Sequence, residues 1–132
     1  DPKAANIVFA SGVPLTLVPL DATNQVPITP EFYRRLEASQ LTPEARWLYD
    51  LFTKEQGYFQ SSFYFFWDPL AAAILTDESL ATYEKVAICV VEAEGVTSGQ
   101  TAIRAGCPEL RVAVSADALR FEQVFLDTLN NP

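Results

Sequence analysis

The sequence predicts an α/β fold in which helices flank an open sheet, and three observations point to this class. Four predicted helix starts carry Asp or Thr directly before a proline. The segment "VPLTLVPLD" (13–21) is almost wholly apolar, which is typical of a strand buried on both faces of a parallel sheet. Short strand-like segments separated by Gly, Ser and Pro fill the later part of the chain and favour antiparallel pairing.

The helices are predicted from their first residues. Asp and Thr side chains cap the free N–H groups of a helix, and proline is favoured at the first helical position. The capping residues would be Asp1, Thr29, Thr42 and Asp68. The corresponding predicted helices span residues 2–11, 30–38, 43–56 and 69–75, and Gly12 would follow the end of the first one.

The remaining elements follow from apolar periodicity. Strands are predicted over 85–94, 99–104 and 110–116, and a final helix follows over about 115–130. The segment 13–21 looks like a strand from the middle of a parallel sheet, yet we identify no second strand of that kind. A parallel strand needs neighbours and crossover helices. We therefore expect the 132 residues to form a single domain that is the later part of a larger α/β domain, and the absence of methionine fits this expectation.

Composition excludes several classes of function. The chain is 49% hydrophobic and 20% charged, which suits a globular protein. Its net charge of −8 would repel nucleic acid, and the lysines and arginines form no basic stripe. The longest apolar runs are too short to cross a membrane. We expect no nucleic-acid or membrane partner, and cytoplasm is the default compartment.

The residue types also limit the chemistry. Histidine is absent, which removes the commonest general base and zinc ligand, so carboxylates, hydroxyls, amides or a hard metal ion must act instead. Cys89 lies in the apolar segment "VAICVVE" and is interpreted as a buried small hydrophobic residue. Cys107 precedes a proline in a turn, and a disulfide between the two remains open.

Three segments carry a family resemblance. In this order, "DPKAANIVFASGVPLTLVPLDATNQVPIT", "FFWDPLAAAILTD" and "RVAVSADALRFEQVFLDTL" resemble the inosine/uridine-preferring nucleoside hydrolases. The resemblance implies an open α/β sheet with helices on both sides. It also implies hydrolysis of the N-glycosidic bond of a ribonucleoside to ribose and free base, with a bound Ca²⁺.

The resemblance assigns two site residues. Asp68 corresponds to the family's late Ca²⁺-ligand aspartate, and Trp67 stands where many members have histidine. Members that prefer purines resemble this chain in carrying tryptophan, so Trp67 is expected to stack on a purine base. Asn24 also stands where many members have histidine, and we assign it no role. Asp21 is expected to serve the turn after the strand more than the site.

Purely structural roles remain as alternatives for both Asp68 and Trp67. Asp68 can be a plain helix cap before Pro69. Phe59, Phe63 and Phe66 fall at helical spacing, so core packing also accounts for this aromatic segment.

The sequence departs from the family in one important respect. The family's N-terminal "D-T-D-P-G-x-D-D" loop, which supplies most Ca²⁺ carboxylates and the water-activating aspartate, has no counterpart here. We therefore assign no catalytic residue in this chain, since Asp68 alone cannot fill a shell of six to eight oxygens. The chain is expected to be inactive until a complementing N-terminal segment joins it. The alternative is a non-catalytic binding or dimerisation module that pairs with a second copy.

Overall fold

The computed structural model describes residues 1–55 and 64–131. The helices are α1 (Pro2–Phe9), α2 (Leu20–Thr23), α3 (Pro30–Ala38), α4 (Pro43–Lys54), α5 (Trp67–Ile74) and α6 (Ala118–Asn130), with a 3₁₀ turn at Glu78–Leu80. The strands are β1 (Thr16–Leu17), β2 (Ala81–Val90), β3 (Thr101–Ile103) and β4 (Glu109–Ala116). Within the described ranges, no helix has both the length and the apolar character that crossing a bilayer requires.

Three of the four predicted caps are confirmed. The side chains of Asp1, Thr29 and Thr42 accept hydrogen bonds from the backbone N–H three residues later, at 2.9, 3.0 and 3.1 Å. Each cap satisfies one otherwise unpaired donor and is worth about 1 kcal/mol. Short polar residues before proline therefore fix where α1, α3 and α4 begin.

The fourth predicted cap is wrong. Helix α5 begins at Trp67, Phe66 occupies the capping position, and no side chain caps the helix. Asp68 consequently lies inside the first turn, one residue before Pro69. Proline is tolerated there because the first-turn N–H groups have no partner within the helix.

The chain divides into two compact units: Asp1–Pro19 with Tyr83–Val114, and Leu20–Thr82 with Ser115–Pro132. Four strands form a sheet in the order β1-β4-β2-β3. β1 pairs with β4 in parallel, with Thr16 opposite Arg111 and Leu17 opposite Val112. β2 and β3 are antiparallel, with Cys89 opposite Ala102. The predicted α/β class is confirmed.

The apolar segment 13–21 forms much less strand than predicted. Within this segment only Thr16 and Leu17 form a strand, and α2 begins at Leu20. Pro14 and Pro19 flank the strand, and proline has no N–H to give to a ladder. The expectation that the chain holds no second parallel strand is also wrong, because β4 is that strand.

The core of the first unit lies against the sheet. Ile88, Leu110 and Val112 are buried there, and Phe9 and Leu17 are among the half-buried residues that pack on them. The side-chain amide of Asn6 joins α1 to β2, because it donates to Val90 O and accepts from Val90 N, both at 2.7 Å.

A disulfide links Cys89 in β2 to Cys107, across 18 residues of sequence. The interpretation of Cys89 as a buried small hydrophobic residue is wrong, since Cys89 is half-buried and covalently paired. An apolar neighbourhood alone does not separate a buried thiol from a disulfide, because both are common in such surroundings.

The core of the second unit is aromatic. Phe32, Phe66 and Phe121 are buried, and Phe125 packs beside them. Ring centroids are 4.8 Å apart for Phe32 and Phe66, in an edge-to-face arrangement, and 5.1 Å apart for Phe66 and Phe121. Such pairs add about 0.5–1.5 kcal/mol each beyond the area that they bury.

One ion pair in this unit is largely withdrawn from water. Arg35 of α3 donates to the buried carboxylate of Glu122 at 2.8 Å and to Gln123 at 2.9 Å. Burial raises the pKa of Glu122, and the positive charge of Arg35 partly opposes that rise. The pair thus joins α3 to α6 at the side of the aromatic core.

Candidate functional site

A short extended segment positions the candidate site. Phe65 pairs with Pro27 in an isolated antiparallel bridge. On either side of it, Ile28 N–H donates to Tyr64 O at 2.8 Å and Phe66 N–H donates to Val26 O at 2.9 Å. These backbone hydrogen bonds lead directly into α5 and fix the position of the first residues of that helix.

Phe66 anchors the start of α5. Its ring is 2% exposed and lies among the rings of Phe32, Phe121 and Phe125. Burying a side chain of this size stabilises the fold by about 1.5–3 kcal/mol. Because Phe66 is held in the core, the backbone position of the next residue, Trp67, is also fixed.

The indole of Trp67 is held at its polar edge. Nε1–H donates to the side-chain oxygen Oδ1 of Asn24 at 3.1 Å. Asn24 directly follows α2, and its own N–H donates to Leu20 O at 2.9 Å. The turn after α2 thus sets the orientation of the Trp67 ring.

Neighbouring rings support the same indole. The ring centroid of Tyr64 lies 5.0 Å from that of Trp67, and the ring of Phe65 lies 5.9 Å away, both tilted. Trp67 remains half-buried. An amphipathic ring that is held at one edge and partly open is suited to receive a flat aromatic ligand.

Asp68 is exposed and lies beside Trp67 on a cavity of about 220 Å³. The cavity is lined by Ile28, Leu48, Phe52, Tyr64, Phe65, Phe66, Trp67, Asp68, Pro69 and Phe125. No described residue hydrogen-bonds to the carboxylate of Asp68. Its negative charge in the first turn is favoured by the helix dipole. The cavity is therefore largely aromatic, and Asp68 is the one acidic residue among the described residues that line it.

The described residues do not by themselves form a calcium site. Across residues 1–55 and 64–131, no three His, Cys, Asp or Glu side chains come together as metal ligands would. Asp68 supplies at most two of the six to eight oxygens that Ca²⁺ takes. Any metal at this place requires ligands from outside the described chain.

The other sequence-predicted residues are placed as follows. Asp21 is exposed in the first turn of α2 and does not line the cavity. Phe66 is in the core as predicted, whereas Phe59 and Phe63 fall outside the described residues.

The family resemblance draws attention to Asn24 without giving it a role, and sequence reasoning missed its contact with Trp67. No periodicity or motif links it to Trp67, which is 43 residues further along the chain. Its neighbour Thr23 is buried, and the Thr23 hydroxyl has no hydrogen-bond partner among the described residues. A polar turn soon after an apolar segment is a local signal for such a role, because ligand sites in open α/β sheets lie beyond strand ends.

Comparison with known proteins establishes the family. The family model of the inosine-uridine preferring nucleoside hydrolases matches residues 1–123. A protein of that name from Crithidia fasciculata is 33% identical over 138 residues, covering 98% of this chain and 44% of the relative. The chain therefore belongs to the inosine-uridine preferring nucleoside hydrolase family, and the resemblance that its motifs indicate is confirmed.

Solved structures share the fold. A plant nucleoside hydrolase, the PpNRh1 enzyme, superposes with a TM-score of 0.84 at 26% identity, over 100% of this chain and 46% of its own. The purine-preferring ribonucleoside hydrolase from Gardnerella vaginalis gives a TM-score of 0.76 at 27% identity, over 98% and 44%. The chain spans less than half the length of the relatives that it matches along its whole length.

Proposed function

We propose that the chain forms the C-terminal portion of a nucleoside N-ribohydrolase, which cleaves the N-glycosidic bond of a ribonucleoside to ribose and free base. The observation that carries this proposal is the cavity in which the oriented indole of Trp67 and the exposed Asp68 lie side by side. Membership of the hydrolase family supplies the reaction class.

The two side chains match the two demands of this reaction. The transition state has oxocarbenium character, so a nearby negative charge stabilises it. The leaving base is flat and aromatic, and offset stacking on an indole contributes about 0.5–1.5 kcal/mol beyond the buried area. Asp68 supplies the charge and Trp67 the surface, while Asn24 keeps that surface in one orientation.

Ca²⁺ is proposed as cofactor only in a completed site. Asp68 would give one carboxylate, and the other oxygen ligands would come from the part of the fold that the relatives contain beyond the match. A calcium ion so held would act as a template for hydroxyl groups and water. Without those ligands, we expect the 132-residue chain to bind Ca²⁺ weakly and to release no base.

A purine base is the proposed preference. The indole offers a larger stacking surface than an imidazole would, and the bicyclic purine covers more of it than a pyrimidine does. A purine-preferring hydrolase is among the proteins that share the fold. The proposed purine preference therefore depends on the indole of Trp67.

The disulfide bears on the cellular compartment of the protein. From the sequence alone we expect cytoplasm. The Cys89–Cys107 disulfide favours an oxidising compartment instead, because cytosolic proteins keep their thiols reduced. Alkylating the thiols of the protein in intact cells, followed by mass spectrometry, distinguishes the two. Alkylated Cys89 and Cys107 would restore the cytoplasmic default.

The test uses a chimera in which this chain replaces the matched region of the Crithidia fasciculata relative. We expect base release from inosine, with calcium required. Asp68→Asn should lower kcat/KM by about a hundredfold or more, because one charge that faces the reacting sugar is lost. Trp67→Ala should raise KM for inosine more than for uridine.

Two matched variants serve as controls. Asp50→Asn changes an exposed aspartate of α4, and Trp47→Phe changes an exposed tryptophan of the same helix. Neither residue is among those that line the site cavity. Both should leave kcat/KM within about twofold. Full activity of the Asp68→Asn chimera would overturn the proposed role, and micromolar calcium affinity of the isolated chain would overturn the incomplete-site proposal.

A further inference from the structure

The side-chain amide of Gln25 joins two segments of the second unit. Its Nε2–H donates to Asp21 O of α2 at 2.7 Å, and its Oε1 accepts from the backbone N–H of Ala116 at 3.2 Å. Ala116 is the last residue of β4 and lies 91 residues further along the chain than Gln25. One side chain therefore ties the turn after α2 to the carboxyl end of β4.

The turn that Gln25 ties down carries the residue that orients the indole. Gln25 directly follows Asn24, whose Oδ1 accepts from the indole N–H of Trp67 at 3.1 Å. The backbone N–H of Gln25 donates to Ala22 O at 3.1 Å, which keeps the turn closed. Because Asn24 and Gln25 are neighbours in this turn, a displacement of Gln25 also displaces the hydrogen-bond acceptor of the indole.

The other segment leads into α6, which forms part of the opposite side of the cavity. Asp117 directly follows Ala116, and its side chain caps the first turn of α6. Further along α6, Phe125 lines the same cavity as Trp67. Gln25 thus connects the turn that holds one lining ring to the start of the helix that carries another.

A ring that receives a ligand is only as well placed as the groups that hold it. Asn24 is exposed, so packing contributes little to fixing its side chain. The two hydrogen bonds of Gln25 instead fix the turn from which that side chain extends. Gln25 is not among the described residues that line the cavity, so its effect on a ligand passes through its neighbours.

We propose that Gln25 is a positioning residue of the base-binding surface, because its amide holds the turn that orients Trp67 at a fixed distance from the start of α6. This inference rests on the proposed function, in which Trp67 stacks on the leaving base. Binding of a purine nucleoside then depends on the orientation of the indole, and through it on the amide of Gln25.

The first measurement follows the indole in the 132-residue chain and needs no activity. In a Trp47→Phe background Trp67 is the only tryptophan, since the chain has two. Gln25→Met keeps the length of the side chain and removes both hydrogen bonds, so acrylamide quenching of Trp67 should increase and its anisotropy should fall. Gln25→Glu keeps an oxygen that can accept from Ala116 N–H and should recover about half of the change or more.

Gln40→Met is the matched control for this measurement. The Gln40 side chain donates to Glu37 O at 3.0 Å, which is a contact of the same kind just after α3. Gln40 is not among the described residues that line the cavity. Its replacement should lower the midpoint of urea unfolding slightly and leave the quenching of Trp67 unchanged.

The second measurement uses the chimera with the Crithidia fasciculata relative. Gln25→Met should raise KM for inosine about threefold, as partial loss of a stacking contact would, and leave kcat within about twofold. The rise in KM for uridine should be smaller. In a Trp67→Ala background, Gln25→Met should have no further effect on KM, because the ring through which Gln25 acts is gone.

Four results would overturn the proposal. The first is unchanged quenching in Gln25→Met, and the second is an equal increase in Gln25→Met and Gln40→Met, which would indicate general loosening. The third is increased quenching with an unchanged KM for inosine, and the fourth is the same rise in KM with and without Trp67. A chimera that is inactive with all of its residues intact would count against the proposed function only, because the fluorescence of Trp67 still decides whether Gln25 positions the indole.

Discussion

The indole N–H of Trp67 lies 3.1 Å from the side-chain oxygen of Asn24, so the turn after α2 holds the first residue of α5. Asn24 is exposed, and Trp67 is half-buried. The ring also packs beside Tyr64 and Phe65, and it stays half-buried on a cavity that Asp68 also lines.

Removing the acceptor should release the indole. In a Trp47→Phe background Trp67 is the only tryptophan, since the chain has two. There, Asn24→Ala should increase quenching of the fluorescence by acrylamide and lower its anisotropy. The free energy of unfolding should fall by about 0.5–1.5 kcal/mol, the net value of one hydrogen bond. Asn24→Asp keeps an acceptor oxygen and should restore the wild-type signal, and equal quenching in all three proteins would contradict the assigned contact.

Removing the cation beside Glu122 should destabilise the second unit in a pH-dependent way. Arg35→Ala leaves a buried carboxylate without its charged partner, which costs about 1–3 kcal/mol at neutral pH. Without Arg35 the pKa of Glu122 in the folded state rises further above the ordinary value of 4.5. The loss is therefore largest above that folded pKa and shrinks as the pH falls towards 4.5, because a protonated Glu122 needs no cation.

Urea unfolding at several pH values measures this effect, and Arg34→Ala is its control. Arg34 forms an exposed pair with Glu31 one turn away, with side chains 65% and 59% exposed. Such a pair contributes about 0–1 kcal/mol. If Arg35→Ala costs no more than Arg34→Ala, the Glu122 carboxylate is solvated rather than buried.

Asp77 should contribute stability that is lost in acid. Hydrogen bonds from the Ser79 hydroxyl and backbone N–H, and then from Arg120, lower the pKa of Asp77 below its ordinary value of 3.8. The stabilisation is present in full above pH 3.8 and disappears as the pH falls through the lower folded pKa. Asp77→Asn should therefore destabilise the protein at pH 7 and approach wild type in strong acid, as followed by circular dichroism. A difference that stays constant with pH would contradict this assignment.

Breaking the disulfide should destabilise the first unit. Replacing both Cys89 and Cys107 with serine opens a loop closed across 18 residues, which costs about 3 kcal/mol in the chain-entropy description. A reducing agent should lower the midpoint of urea unfolding of the wild type and leave that of the double variant unchanged. An identical midpoint for oxidised and reduced wild type would show that the bond does not contribute.

Local chemistry made part of this fold predictable from the sequence. Asp1, Thr29 and Thr42 mark helix starts correctly because capping involves residues only three apart. Asp68 breaks the rule, since the hydrogen bonds from Phe66 N–H to Val26 O and from Ile28 N–H to Tyr64 O define the path into α5 before any cap can act. The apolar content of residues 13–21 likewise predicts a strand that is too long. Prolines at both ends of β1 have no N–H to donate to the sheet, so the strand is limited to Thr16–Leu17.

Contacts between distant residues were beyond sequence reasoning. The parallel partner of β1 lies 95 residues further along the chain, and Asn24 meets Trp67 across 43 residues. Neither contact leaves a pattern in its own segment. The pair Trp67 and Asp68 could be proposed from the family motif, but only the fold shows that both line one cavity.

The Cys89–Cys107 bond also determines how the chain behaves towards proteases. Arg104 is exposed and lies between the two cysteines, so trypsin can cut after it. The two fragments of such a cut stay covalently joined through the sulfurs. Nicked protein would run as a single band on a non-reducing gel and separate into two pieces only after reduction.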